Sequence, residues 1–433
     1  MNPDFTQIAG SMSRCIWLDG GGAREWSRQT SLLGWCEEDD VSLTYCAARR
    51  EVTRHASGRS HLVGDDPFAV LEDEMQPSDQ WFGYFGYACR PDLPAAVCDD
   101  GPPDAVWMRP SHLRLVDIPG PLGTENRNMA REAFRAKFRF SLISGKTVPA
   151  AYADGFERIQ HALRSGNTYE TNLTYRHTAF SDLDPAQLYL RLRALNPAPY
   201  AGFLQHDLPG ASAWLLSSSP ERYALIDHDQ SGGRVIETRP IKGTTPRGAT
   251  PTEDEAQRVR LATDPKFRAE NLMIADLLRN DVGMVCEAGT VEVPDLMKVE
   301  SYASVHQLVT TVRGRLRHDV STLEALRQIF PAGSMTGAPK RRTMEVIEAA
   351  EASPRGVYAG AFGWIGGDGH ADLGVIIRSL TSADGHTWSI GTGGGITVGS
   401  DLAEEYAEAE LKARVLLAAL TGQTADAEIG LAP

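Results

Sequence analysis

The chain has 433 residues, a net charge of −14 and 42% hydrophobic residues, enough apolar material for one large α/β unit or two to three domains. This acidic balance argues against a nucleic-acid or anionic-membrane surface, which would need a basic footprint, but leaves room for a local basic pocket around a small anion. Cys15, Cys36, Cys46, Cys89, Cys98 and Cys286 form no CxxC pair and no zinc-like spacing, so they read as reduced thiols of a cytoplasmic protein. Neither a signal peptide nor a membrane helix is expected, since no apolar run approaches the roughly 20 residues a span requires.

Taken in chain order, residues 100–130 are rich in Pro, Gly and polar residues and read as loops between short strands. Residues 131–165 read as a helix ending at Gly166. The alternating, Thr- and Tyr-rich "NTYETNLTYRHTAF" that follows predicts a strand. Residues 211–229 and 233–244 predict two strands around an "SGG" turn, and 253–281 predict one long helix. Residues 289–316 return to strand character, and a helix begins near Pro339, proline being favoured in a first helical turn. Three closely spaced β-like runs (357–367, 372–380 and 387–396) precede a last helix over roughly 402–421. The hairpin-like spacing points to antiparallel sheets. The glycines of "GTGGGI" lack the spacing and context of a dinucleotide fingerprint.

Some carboxylates sit where apolar residues are expected. At 100° per residue Glu270 falls on the stripe of Phe267, Met273, Ile274 and Leu277, and a buried carboxylate needs a cation, a proton or a metal. A core salt bridge and a functional role fit Glu270 equally well. Glu405, Glu408 and Lys412 share one face of the last helix. That face is either a solvated surface with an internal ion pair or half of a hard-cation site.

Eight motifs then occur in order: "SSSPERY", "TRPIKGTTPRG", "AENLMIADLLRNDVG", "VESYASVHQLV", "PAGSMTGAPKRR", "GVYAGAFGWIG", "VIIRSL" and "GGGITVGSDLAEEYAEAELKA". Together they resemble the chorismate-utilising enzymes, the family of anthranilate synthase component I, the isochorismate and salicylate synthases and aminodeoxychorismate synthase component I. The resemblance is dense from about 160 to 420; over 1–150 only "WFGYFGY" (81–87) carries it. It implies an α+β fold with two antiparallel β-sheets packed face to face and helices outside. Residues 1–150 would contribute to the same core, and 151–425 would form the chorismate-binding catalytic portion.

Within the family, the lysine form of the "PIKGT" motif looks like that of the aminodeoxychorismate synthases. The resemblance makes Lys242 a nucleophile that adds to C2 of chorismate while the C4 hydroxyl leaves, before ammonia adds at C4. Such a lysine must be neutral, and burial or a nearby cation would lower its pKa. Glu221 matches the general acid, which burial would push toward neutrality. Glu270, Glu405 and Glu408 match Mg²⁺ ligands. Phe267 replaces an acidic residue common in the family one helical turn before Glu270.

Arg378, Tyr358 and Lys412 match contacts to substrate carboxylates. The same set includes Gly393, Gly394 and Gly395, Ser334 and Thr336, Thr244, and His306. Glu170 stands where isochorismate and salicylate synthases have a water-activating lysine, which weakens a hydrolytic reading. No glutaminase motif is visible, so a separate glutamine amidotransferase subunit is the expected source of ammonia. The rival readings are an anthranilate or isochorismate synthase and a non-catalytic chorismate-binding regulatory subunit.

Overall fold

The computed structural model of the chain describes residues 3–19, 30–117, 147–302 and 305–421. Its first part runs α1 (Pro3–Ser11), β1 (Arg14–Asp19), β2 (Thr30–Trp35), β3 (Ser42–Cys46), β4 (Glu51–Ala56), β5 (Arg59–Gly64), α2 (Pro67–Glu74), β6 (Gln80–Phe85), β7 (Ala105–Met108) and β8 (His112–Asp117). The middle comprises α3 (Ala150–Arg164), β9 (Glu170–Phe180), α4 (Pro185–Leu195), β10 (Tyr200–His206), β11 (Ala213–Ser219), β12 (Arg222–His228), β13 (Arg234–Arg239), β14 (Ile241–Pro246), α5 (Pro251–Thr263) and α6 (Pro265–Gly283). Then follow β15 (Glu292–Ser301), β16 (Val305–Arg315), α7 (Thr322–Ile329), β17 (Gly337–Ala338), α8 (Lys340–Ala350), β18 (Ala361–Gly366), β19 (Ala371–Val375), β20 (Ser379–Ser382), β21 (Thr387–Ile396) and α9 (Leu402–Thr421).

The strands form two antiparallel sheets. One has nine strands in the order β17-β9-β21-β20-β11-β10-β1-β2-β8. The other has twelve, β14-β16-β13-β12-β19-β18-β6-β7-β3-β4-β5, with β15 also on β16. Strands from before residue 118 thus enter both sheets: β1 pairs with β10 in one, β6 with β18 in the other. Between the sheets Ile16, Leu204 and Leu215 face Tyr84, Met108 and Phe362. On the outer face of the larger sheet, α6 and α7 bury Ile274, Leu278, Leu326 and Ile329. On that of the smaller, α4 and α9 bury Tyr189, Leu192, Leu416 and Leu420 against Phe203 and Trp388. Each such side chain stabilises the fold by roughly 1.5–3 kcal/mol relative to exposure, so packing more than helix propensity holds these helices.

Local chemistry explains where the predicted elements differ. The single helix expected over 253–281 is two helices, α5 and α6, that meet at Asp264–Pro265. Proline has no N–H to continue α5, and the Asp264 side chain caps α6 by accepting from the backbone N–H of Lys266. The two strands expected over 211–244 are four, broken at Pro220 and Pro240, because a proline cannot donate to a sheet ladder. The run 372–380 is also divided, into β19 and β20. The helix expected over 131–165 is described only as α3; residues 131–146 lie outside the described residues. Among the described residues no helix is long and apolar enough to cross a membrane.

Candidate functional site

Two of these strand breaks are places where the chain changes sheets. It leaves the nine-stranded sheet after β11 and enters the twelve-stranded one at β12, with Glu221 at the crossing. It returns between β19 and β20, with Arg378 at that crossing in the left-handed backbone region (φ 51°). A non-glycine residue held there stores local strain, a feature that clusters at functional positions. β9 and β21 lie next to one edge of the smaller sheet and β14 forms one edge of the larger. These edges bring Glu170, the triple glycine and Lys242 together.

Glu221 is buried, and Ser334 Oγ donates to its Oε1 at 2.5 Å. Burial pushes its carboxyl up to about 7, against the opposing pull of the Ser334 hydrogen bond and the Lys242 charge. This is the elevated acid expected from the sequence. The adjacent Arg222 donates to Glu237 at 2.5 Å and to the Tyr200 hydroxyl at 2.6 Å.

Lys242 Nζ donates to Glu170 Oε1, while Glu170 Oε2 is buried without a hydrogen-bond partner. A Cβ on Gly395 would stand 2.2 Å from Glu170 Oε1 and 2.8 Å from Lys242 Nζ, so only glycine lets this ion pair lie against the backbone of β21. The next residue, Gly243, has φ 98° and begins a bulge in the β14–β16 pairing that shifts the register beyond Lys242. The buried Asn271 of α6 holds this strand through a 3.5 Å hydrogen bond to the Lys242 carbonyl.

The Lys242 pKa differs from the expectation of a lowered value. Burial does favour loss of its proton, but Glu170, then Glu270 and Glu221, outweigh burial and hold the ammonium above its ordinary value. In this state Lys242 is a charged lysine within hydrogen-bonding reach of a base.

The three carboxylates matched to a metal have different surroundings. Glu405 is buried and accepts from Lys266 Nζ at 3.3 Å. Glu408 is exposed and pairs with Lys412 at 2.8 Å one turn on, as the solvated-face alternative supposed. Lys412 Nζ also donates to the Gly393 carbonyl at 2.9 Å. Burial pushes the Glu270 carboxyl up to about 7 even though Lys242 pulls it down. The Lys412 charge holds Glu408 down at about 2.

Among the described residues, Glu270, Glu405 and Glu408 do not have ligand atoms all within 4.8 Å of one another; the ammonium groups of Lys266 and Lys412 pair with two of them. Phe267 packs close to Gly243, its Cβ 3.3 Å from where a Gly243 Cβ would be, on the Lys242 side of α6.

Arg378 is half-buried, and burial lowers its pKa while Tyr358 and Glu408 pull it upward. Among the described residues its guanidinium forms no ion pair, an arrangement suited to a carboxylate from outside the chain. Tyr358 is buried beneath the Arg176 guanidinium, which lies 4.8 Å from the ring centroid.

Other candidates are placed elsewhere. Both ring nitrogens of buried His306 are engaged, Nδ1 with Ser301 Oγ at 2.7 Å and Nε2 with Asp254 at 3.2 Å. Thr336 Oγ1 donates back to the carbonyls of Ala332 and Gly333. Thr244 is exposed, its backbone opposite Gln307. Among the described residues, none of these three is tied to the Lys242 cluster by a hydrogen bond. The sequence reading missed Asn271, Lys266 and Arg176. Asn271 and Lys266 flank Glu270 within a recognised helix, where polar residues next to an out-of-place carboxylate were the available signal.

The chain as a whole has counterparts among known proteins. The chorismate binding enzyme family matches residues 13–418. The aminodeoxychorismate synthase of Streptomyces pristinaespiralis is 49% identical over 269 residues, covering 62% of this chain and 36% of that protein. Aminodeoxychorismate synthase component 1 of Escherichia coli K12 is 43% identical over 257 residues, 59% of this chain and 54% of that one. The match therefore spans about half or less of these relatives' lengths. The solved anthranilate synthase component I of Streptococcus pneumoniae TIGR4 shares the fold, with a TM-score of 0.69, 23% identity and coverage of 90% and 93% of the two chains. With the family matched across nearly the whole chain, its two sheets and its ordered motifs have one explanation: this chain belongs to the chorismate binding enzymes.

Proposed function

We propose that the chain acts as an aminodeoxychorismate synthase, converting chorismate and ammonia to 4-amino-4-deoxychorismate and water. The observation that carries this reading is the buried Lys242–Glu170 pair against Gly395, with the elevated acid Glu221 among the charges that act on the lysine. Glu170 takes the proton from the Lys242 ammonium, its free Oε2 being available to hold it. The neutral amine forms a bond to C2 as the C4–O bond breaks, and Glu221 supplies the proton that lets the oxygen leave as water. Ammonia then forms a bond to C4 as the C2–N bond breaks, Glu170 returns its proton to the freed Lys242 amine, and the proton lost by the incoming nitrogen reprotonates Glu221. Lysine and both carboxylates are regenerated, and the sum is chorismate plus ammonia giving product plus water.

Arg378, beneath no competing carboxylate, and Lys412, at the Gly393 carbonyl, would receive substrate carboxylates. Glu270, Glu405 and Glu408 suit Mg²⁺ by donor chemistry: three hard oxygen donors, one of which lacks a full counter-charge and is pushed up to about 7. A magnesium ion held there would neutralise and orient the ring carboxylate of chorismate. Lys266 and Lys412 would yield their carboxylate partners to it. Ammonia would come from a separate glutamine amidotransferase subunit. A place in folate biosynthesis and a cytoplasmic location are part of the same proposal.

The test is an assay of the purified chain with chorismate, Mg²⁺ and an ammonium salt at alkaline pH, with the product separated and identified by mass. A 4-amino-4-deoxychorismate product supports the reading. Anthranilate or isochorismate as the product, or no turnover with an active control enzyme, rejects it.

A further inference from the structure

Far from the Lys242 cluster, β12 ends in Asp227 and His228, and the turn between β18 and β19 presents His370 beside them. Glu221 stands at the other end of β12, roughly 20 Å away at the usual strand rise. His228 Nδ1 and His370 Nε2 are 3.2 Å apart, and His370 Nε2 is 3.2 Å from Asp227 Oδ1. All three ligand atoms lie within 4.8 Å of one another. A tetrahedral zinc with bonds of about 2.0–2.1 Å to nitrogen and oxygen has ligand–ligand edges of about 3.3 Å. Two of the three edges observed here are close to that length.

The protonation pattern points the same way. Asp368 holds His370 twice: Oδ1 accepts from its backbone N–H at 3.2 Å, and Oδ2 lies 3.0 Å from ring Nδ1. A proton on Nδ1 satisfies Asp368 and leaves Nε2 with a lone pair. That lone pair lies 3.2 Å from Asp227 Oδ1, which also accepts the His228 backbone N–H at 2.8 Å, and 3.2 Å from His228 Nδ1. A cation among these three atoms would be drawn by all of them. A carboxylate that fixes the far nitrogen of a ligating imidazole is also the usual support of a metal-bound histidine.

The carboxylate is half-exposed and the His370 ring is 30% exposed, so water can complete the coordination. Other charges nearby are already engaged: Arg234 donates to the Val320 carbonyl, and Asp229 pairs with Arg315 at 2.6 Å.

We infer that Asp227, His228 and His370 form a binding site for a first-row divalent transition ion, zinc foremost, which would tie the end of β12 to the β18–β19 turn. Two imidazoles select such an ion over Mg²⁺ or Ca²⁺, which prefer oxygen donors. The site is separate in place and in chemistry from the three glutamates discussed above. Its presence or absence therefore leaves the proposed synthase reaction untouched.

The full chain titrated with Co²⁺ tests this, read by visible spectroscopy. The expected result is one equivalent showing the intense bands of a four- or five-coordinate ion. No near-ultraviolet sulfur charge-transfer band should appear, which separates the site from Cys46 and Cys98, and Zn²⁺ should displace the colour. H228A and H370A, checked for native circular dichroism, should each abolish the bands. D368N should weaken binding by about 10–100-fold without abolishing it. Wild-type protein without these bands would overturn the assignment, because a proton shared by His370 and the two aspartates would then account for the geometry. Bands that persist unchanged in both histidine variants would overturn it equally.

Discussion

Glu221 and Glu408 are the same side chain in two regions of the molecule, and their acidities diverge in opposite directions. At the sheet crossing, Glu221 is buried with a hydroxyl as its nearest partner, and its carboxyl is pushed up to about 7. On the face of α9, Glu408 is exposed and stands 2.8 Å from Lys412, which holds it at about 2. The two settings therefore treat a proton in opposite ways, burial favouring it on Glu221 and the Lys412 charge disfavouring it on Glu408. The first suits proton donation near neutrality. The second keeps a permanent negative charge. Position relative to the sheets, not residue type, decides which role a glutamate can take.

The largest effect should come from removing the ammonium at the edge of the larger sheet. Lys242→Ala should lower formation of the 4-amino product by orders of magnitude while the far-ultraviolet circular dichroism stays native. Mass spectrometry of chorismate-treated wild-type protein should find any covalent adduct on Lys242 alone. Wild-type rates with the same product would show that Lys242 supplies only charge. Next, Glu221→Gln removes the proton donor and should cost roughly 10²–10⁴-fold in kcat. The wild-type acid is protonated below about pH 7, so its contribution falls as pH rises through that value. The variant should lose that limb of the pH–rate profile, and a profile identical in shape to wild type would take Glu221 out of the proton-donor role.

On the α9 face, Glu405→Gln and Glu408→Gln each delete one charge from the proposed magnesium site. Each should raise the Mg²⁺ concentration needed for half-maximal activity by about tenfold, or about 1.4 kcal/mol. Full activity in excess chelator would exclude a metal requirement.

A smaller effect concerns stability. Glu221 has a folded-state pKa above its unfolded value, so the protonated form favours the fold. That contribution is fully present below about pH 4.5 and is lost as pH rises through about 7. Thermal unfolding of Glu221→Gln across that window should show a flatter decline than wild type. The smallest change is Phe267→Glu, a carboxylate added beside Gly243. It should shift the magnesium titration modestly toward tighter binding, and an unchanged curve would mean residue 267 does not reach the ion.

Much of this organisation was legible in the sequence because it depends on local pattern. The strand character of 167–180 and the last helix over 402–421 follow from composition and periodicity, and the structure places elements there. The Asp264–Pro265 break was also written in the chain as a capping aspartate before a proline, yet the apolar periodicity on either side concealed it. Three breaks were not legible in this way. Pro220, Pro240 and the Ile376–Arg378 segment divide runs that read as continuous, and at the first and third the chain changes sheets.

What the sequence determined by itself was the inventory: a lysine between proline and glycine residues, acids on apolar helical stripes, and three glycines in a row. Tertiary structure alone decided which of these act on one another. Lys242 meets Glu170 across 72 residues, and that neighbour reverses the pKa shift that burial alone would give the lysine. Glu405 turned to Lys266 on another helix while Glu408 kept its own Lys412. Coulomb energy and desolvation depend on distance and burial in space, and for groups far apart in the chain those quantities are set only when the two sheet edges meet.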